Sequence, residues 1–237
     1  AEYRYSQNLG LQLSLSETMP EQESCLDKYG LTPAQVLDCH HLWDGGGQAA
    51  HCVFLTEGDR KILAKHTVSA VHCPSANAKT AAGTADVLAL VQSGMNVCLG
   101  TGDATQNNNL DLLREVRAAA LAAKALHQDP EALKAPAALM LSTVCGARAQ
   151  RRERECGMIQ IGLDADLIML DFTQPHLIPC HNVISNLVYA AEGGDVCMTM
   201  VRGKILYAAG KYQTLDLPQV MKELGSYVMP KLFAEKD

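Results

Sequence analysis

Val68-Ser69-Ala70-Val71-His72 is a short run of small and β-branched residues. Cys73-Pro74-Ser75-Ala76-Asn77 follows it and reads as a loop. Next come an apolar-periodic segment, Thr84–Gln92, closed by Gly94, and then Asn96-Val97-Cys98-Leu99-Gly100-Thr101. Strand, loop, helix and strand in so short a span describe a βαβ unit, whose two strands run parallel. In the second strand Val97 and Leu99 face one side and Cys98 the other, because successive side chains of a strand alternate.

The same rhythm extends in both directions. Upstream, Leu11–Leu15 reads as a strand, Glu21–Tyr29 and Pro33–Leu42 as helices, Gln48–Phe54 as a strand and Glu57–His66 as a helix. Downstream, Asn109–Leu126 and Ala135–Ala149 read as long helices. Four strands separated by helices predict an α/β fold with a parallel sheet, half of what closes an eight-stranded barrel. After the charged run Arg151-Arg152-Glu153-Arg154-Glu155, read as a solvated turn, the pattern changes. Gly157–Ile161 and Ala165–Asp171 are strand-like, Val196–Arg202 and Lys204–Tyr207 form a hairpin near Gly203, and Leu217–Leu232 is a closing helix. The expected division is therefore 1–155, the barrel strands, and 156–237, a small β-sandwich with a terminal helix.

Composition narrows the function. The 237 residues carry a net charge of −6 and show no basic stripe, which argues against a nucleic-acid partner. No apolar run reaches the roughly 20 residues that a membrane span needs, and the start lacks an apolar signal core. Nine Cys without a Cys-x-x-Cys pair suggest neither a zinc knuckle nor a disulfide framework, but buried free thiols in a reducing cytoplasm. The chain opens on Ala, not Met, within what reads as a helix end, and is expected to be a fragment.

Parallel barrels gather reactive groups at the C-terminal ends of their strands. Those ends offer Glu17, His51, His72 and Asp103 in order. Imidazoles and carboxylates converging on one pocket suit metal-assisted hydrolysis with proton transfer. Each also has a plainer reading. Glu17 could be a helix first-turn acid, His51 a satisfied core histidine, His72 a structural one and Asp103 a turn cap.

Several segments carry a resemblance. They are Leu15-Ser16-Glu17-Thr18, Ala49-Ala50-His51-Cys52-Val53, His72-Cys73-Pro74-Ser75-Ala76-Asn77, Leu99-Gly100-Thr101-Gly102-Asp103-Ala104 and Gly162-Leu163-Asp164-Ala165-Asp166. With these the chain resembles the C-terminal portion of the amidohydrolase superfamily, and within it the 5-methylthioadenosine/S-adenosylhomocysteine deaminases. The resemblance implies the second half of a TIM-type (β/α)8 metallo-hydrolase barrel, strands five to eight, followed by the C-terminal part of a small β-sandwich. It implies zinc-dependent hydrolytic deamination of an adenine nucleoside by the intact family. It further implies that Glu17 moves protons and holds the substrate ring, and that His51 polarises the attacking water or the substrate.

The family's metal ligands fare differently. The resemblance implies a His-x-His pair on the first barrel strand, a His on the fifth and an Asp on the eighth. No His-x-His occurs in this sequence, Ser14 stands at the fifth-strand His, and Gly102 stands at the Asp with Asp103 one place later. A neutral hydroxyl is not among the ligands zinc favours. Asp103 remains the one candidate ligand and a candidate substrate contact beside Glu17 and His51. This chain alone is therefore expected to hold no catalytic zinc. Its expected partners are a purine nucleoside and, through open barrel edges, copies of itself. The alternative is a catalytically silent homologue that binds a purine-like ligand or a partner protein.

Overall fold

A computed structural model describes residues 2–7 and 9–233. The chain divides into two compact units. One runs to Leu163 and takes in Pro175–Gly193; the other comprises Asp164–Gln174 and the chain from Gly194 on. The expected division placed all of 156–237 in the second unit, whereas the packing groups both 156–163 and 175–193 with the first.

The first unit begins with a short helix, α1 (Glu2–Ser6), and is organised by four strands: β1 (Gln12–Leu15), β2 (Gly47–His51), β3 (Val68–His72) and β4 (Asn96–Leu99). They form one sheet in that order, every pair parallel. The helices between them are α2 (Met19–Tyr29), α3 (Pro33–Cys39), α4 (Glu57–Lys65), α5 (Pro74–Lys79) and α6 (Val87–Gln92). After β4 come α7 (Ala104–Asn107), α8 (Leu112–His127), α9 (Ala135–Ser142), α10 (Val144–Ala149) and α11 (Val183–Tyr189). Local chemistry sets the helix starts. Thr32 with Gln35 and Thr56 with Asp59 form reciprocal capping boxes, which satisfy backbone N–H groups that a helix start leaves unpaired.

One face of the sheet is the core. Leu15, Ala49, Val68, Ala70, Val97 and Leu99 pack there with the helical residues Leu63, Leu90, Val116 and Ala120 and with Trp43. Full burial of a side chain such as Leu63 contributes roughly 1.5–3 kcal/mol. The other face carries a row of Gln12, Gln48, Ser69 and Asn96, then a row of Ser14, Ala50, Val71 and Cys98, as alternation and register require. Half of a barrel interior would be apolar throughout; here the second row is mostly so, with Ala50, Val71 and Cys98, but the first is not. The first row is polar: Asn96 Nδ2 donates to Ser69 Oγ at 2.9 Å and to the Cys145 carbonyl at 3.1 Å, while the buried Asn96 Oδ1 has no hydrogen-bond partner among the described residues. Gln48 donates to the Ala149 carbonyl at 3.0 Å.

Other corrections are local. Residues 74–77, expected as a loop, lie in α5 (Pro74–Lys79), because Pro74 sits in the first turn, where its missing N–H costs nothing. The expected helix 135–149 is two helices broken at Thr143 (φ −118°, ψ −95°). Gly157–Ile161 pairs with no strand, and Ile159 and Ile161 are fully solvent-facing at 90% and 102% exposure. Helix α11 was not anticipated; Asn182 caps it by accepting the Ser185 N–H at 2.9 Å.

The second unit is an antiparallel sheet of β5 (Leu167–Leu170), β6 (Val196–Val201), β7 (Lys204–Ala208) and β8 (Lys211–Tyr212), in that order. The β6–β7 hairpin turns at Arg202 and Gly203, with φ of 49° and 75°. Two left-handed residues in a two-residue loop match the twist of the flanking strands, and Gly takes that conformation freely. The terminal helix is α12 (Leu217–Glu223), a π-helical turn over Leu224–Val228, and α13 (Met229–Leu232). Pro230 lacks the N–H that an unbroken α-helix would use there.

Candidate active site at the strand ends

The chain leaves β1 through Ser16, which is buried and left-handed (φ 51°). The Glu21 carboxylate accepts the Ser16 and Glu17 N–H groups, each at 2.8 Å, so the first turn of α2 clamps the end of β1. Thr18 is the N-cap of α2, accepting the Glu21 N–H at 3.4 Å. The cap role that Glu17 could have filled belongs to Thr18, and the Glu17 side chain is directed elsewhere. Its Oε1 accepts from Gln106 Nε2 at 3.3 Å, and its Oε2 lies 3.7 Å from His51 Nε2.

His51 ends β2 in a left-handed conformation (φ 71°), and Cys52 follows in another (φ 54°). Two consecutive strained non-glycine residues persist only where the surroundings over-determine them. Here the Cys52 N–H is held by the Leu15 carbonyl at 3.0 Å, and the N–H groups of Val53 and Phe54 by the Ser16 carbonyl. The turn leaves His51 buried, with Nδ1 2.6 Å from Asn77 Oδ1. Glu17 and His51, read from two separate strand ends, are thus brought together.

His72 ends β3 and is 1% exposed, with neither ring nitrogen hydrogen-bonded. Burial, with the neighbouring His51 imidazole adding to it, lowers the His72 pKa from its ordinary 6.5 to about 4. The ring is neutral at pH 7, in keeping with a structural role. Burial likewise pushes the Cys73 thiol up to about 11.

After β4 the chain reaches Gly102 (φ 67°) and Asp103. Asp103 Oδ1 accepts the N–H groups of Thr105 at 2.7 Å and Gln106 at 2.9 Å, and the Thr105 hydroxyl. These bonds, the hydroxyl's first, hold its carboxyl below the usual range. The exposed Asp103 is the N-cap of α7, which is the plainer of its two sequence readings. At Gly102 a Cβ would lie 2.9 Å from Ala76 Cβ and 3.3 Å from Gln106 Oε1. Ser14 is exposed on the polar face of β1. The positions that the family resemblance assigns to metal ligands therefore offer a neutral hydroxyl, no side chain, and a carboxylate engaged in capping. That donor set does not fit a zinc ion, which needs three or four anionic or imidazole ligands at about 2.0–2.3 Å.

Sequence reading did not single out Gln106, Asn77 or Glu115. Glu115 is 1% exposed on α8; it accepts from Asn107 Nδ2 at 2.9 Å and from the Ser75 N–H at 3.1 Å, tying α5 and α7 together beneath the site. A lone Glu among the alanines of α8 was the available signal. Two further features lie at the opposite end of the sheet. His66, just before β3, places Nε2 2.9 Å from Asp38 and Nδ1 3.6 Å from Asp44. A cleft of about 670 Å³ is lined there by Gly47, Gln48, Ser69, Asn96, Arg148 and Arg151. No helix among the described residues is long and apolar enough to cross a membrane.

Comparison with known proteins decides the lineage. Residues 4–206 match the pattern of the Amidohydrolase family. This chain belongs to that family. It is 44% identical over 216 residues to the 5-methylthioadenosine/S-adenosylhomocysteine deaminase of Moorella thermoacetica, covering 91% of this chain and 50% of that protein. It is 41% identical over 214 residues to the 5'-deoxyadenosine deaminase of Methanosarcina mazei, covering 90% and 49%. A solved adenosine deaminase from Xanthomonas campestris with bound zinc superposes with a TM-score of 0.89 at 32% identity, covering 94% of this amidohydrolase chain and 51% of that one. The chain spans about half the length of the curated relatives it matches.

Proposed function

We propose that this amidohydrolase chain is the C-terminal half of a methylthioadenosine/adenosylhomocysteine-type deaminase barrel, and that its pocket binds an adenine nucleoside. In this reading β1–β4 are barrel strands five to eight, and the antiparallel sheet is the C-terminal share of a small β-sandwich. The free edges of β1 and β4 take up an upstream half or a second copy, since an unpaired parallel edge is a template for pairing.

The Glu17–His51 pair carries the reading. A carboxylate and an imidazole from adjacent strand ends, braced by Gln106 and Asn77, can hold the donors and ring nitrogens of a purine. The identity to two adenine-nucleoside deaminases supports the substrate class.

Hydrolysis needs a hydroxide at neutral pH, which zinc supplies in such enzymes by lowering the pKa of its water to about 7. Ser14, Gly102 and Asp103 do not fit that ion, so no hydrolytic step is assigned to this chain alone. Its residues bind and orient the ring, and Glu17 accepts a ligand hydrogen bond. A charged acceptor contributes about 1.5–3 kcal/mol to such a bond. Glu17→Gln should therefore weaken methylthioadenosine binding more than tenfold in a calorimetric titration. Equal affinities would remove Glu17 from the site, and a wild-type chain that releases no binding heat would remove the reading itself.

A further inference from the structure

Asn77 belongs to a segment whose composition reads as a loop, yet it sits fully buried in α5 with its side-chain oxygen on His51. Asn77 Oδ1 and His51 Nδ1 lie 2.6 Å apart, within hydrogen-bond reach. An amide oxygen only accepts, so the imidazole nitrogen donates. The hydrogen bond made by one ring nitrogen decides the state of the other. We infer that Asn77 is a positioning residue that holds His51 as the Nδ1–H tautomer and leaves the Nε2 lone pair facing Glu17.

Three observations support this. His51 is 3% exposed, so water does not compete for Nδ1. The left-handed turn at His51 and Cys52 is pinned to Leu15 and Ser16, which fixes where the ring starts. Asn77 is fully buried on a helix that Glu115 anchors at Ser75, and its Nδ2 has no hydrogen-bond partner among the described residues. The alternative contact among buried groups, His72, has both ring nitrogens unpartnered and does not take the His51 proton.

The inference rests on His51 being a site residue and says what that site prefers. With the proton on Nδ1, His51 Nε2 and Glu17 Oε2 are two acceptors 3.7 Å apart. Such a pair is matched by a ligand group that donates, an amine or hydroxyl, inserted between them. It discriminates against a ligand that presents a carbonyl oxygen there, because that would leave three acceptors facing one another.

The test is ring nitrogen NMR of the 15N-histidine-labelled full chain at pH 7. The expected spectrum gives His51 a pyrrole-type Nδ1 and a pyridine-type Nε2. In Asn77→Leu the two assignments should move toward each other or exchange, while Asn77→Asp, which keeps the acceptor, should retain the wild-type pattern. A wild-type His51 with a pyridine-type Nδ1, or with two pyrrole-type nitrogens, overturns the inference without any variant having to fold. These readouts need no turnover and no nucleoside. Failure here leaves the Glu17→Gln titration standing, and failure of that titration leaves the tautomer standing.

Discussion

Gly102→Asp, the change that restores a carboxylate to the family's eighth-strand position, is expected to destabilise the chain by about 2–5 kcal/mol and to create no zinc site. The backbone there is left-handed (φ 67°), a conformation that costs an L-residue with a Cβ about 1–2 kcal/mol. The new Cβ would lie 2.9 Å from Ala76 Cβ, so α5 or the β4 turn must shift, and overpacking of this kind costs about 1–3 kcal/mol. The same Cβ would crowd Gln106, which holds Glu17. Gly102→Ala should show nearly the same loss, since it carries the backbone and steric penalties without the charge. Urea denaturation of both variants checks this. A Gly102→Asp chain as stable as the parent would mean that the turn re-forms easily, and that the missing carboxylate is a matter of one side chain.

The second large effect is a pH dependence from His72. Its pKa is about 4 in the folded chain against 6.5 when exposed. Below pH 6.5 the unfolded chain takes up a proton that the folded chain refuses until about pH 4, so stability rises with pH across that window. The contribution is fully present above pH 6.5, is lost as the pH falls, and changes no further below about pH 4. A shift of this size is worth about 3 kcal/mol, with little solvent screening for a group 1% exposed. His72→Met removes the titration while keeping comparable bulk. The stability difference between the two proteins, read from urea midpoints at pH 4, 5, 6 and 7, should change by about 3 kcal/mol over the window. Parallel curves would show that His72 gains a proton partner on acidification.

The strands were legible because the parallel βαβ rhythm and the alternation in Val97-Cys98-Leu99 leave one consistent assignment; β3 runs over Val68–His72 as its apolar pattern requires. Glu17 and His51 were legible as a pair because each ends one of two adjacent parallel strands. Asp103 was not, since capping a helix and ligating a metal ask for the same short carboxylate after a glycine. Asn77 was hidden by Pro74-Ser75, which by composition reads as a turn but opens a helix. Gly157–Ile161 failed in the other direction: its apolar residues mimic a strand, but it pairs with no strand among the described residues. The polar row Gln12, Gln48, Ser69 and Asn96 was legible in retrospect, because these residues occupy one parity of the four strands.

The proposed strand-end site would keep a ligand-holding pair, Glu17 and His51, without metal ligands. The deciding measurement is the zinc content of the purified chain after zinc loading and desalting, by elemental mass spectrometry on the parent, Asp103→Asn and His66→Gln. Less than about one-tenth zinc per chain is expected at the strand ends, because fewer than three protein ligands do not form a catalytic zinc site. Any zinc retained should vanish in His66→Gln, which breaks the Asp38–Asp44–His66 cluster at the other end of the sheet. Near one zinc per parent chain, kept in His66→Gln and lost in Asp103→Asn, would contradict that expectation.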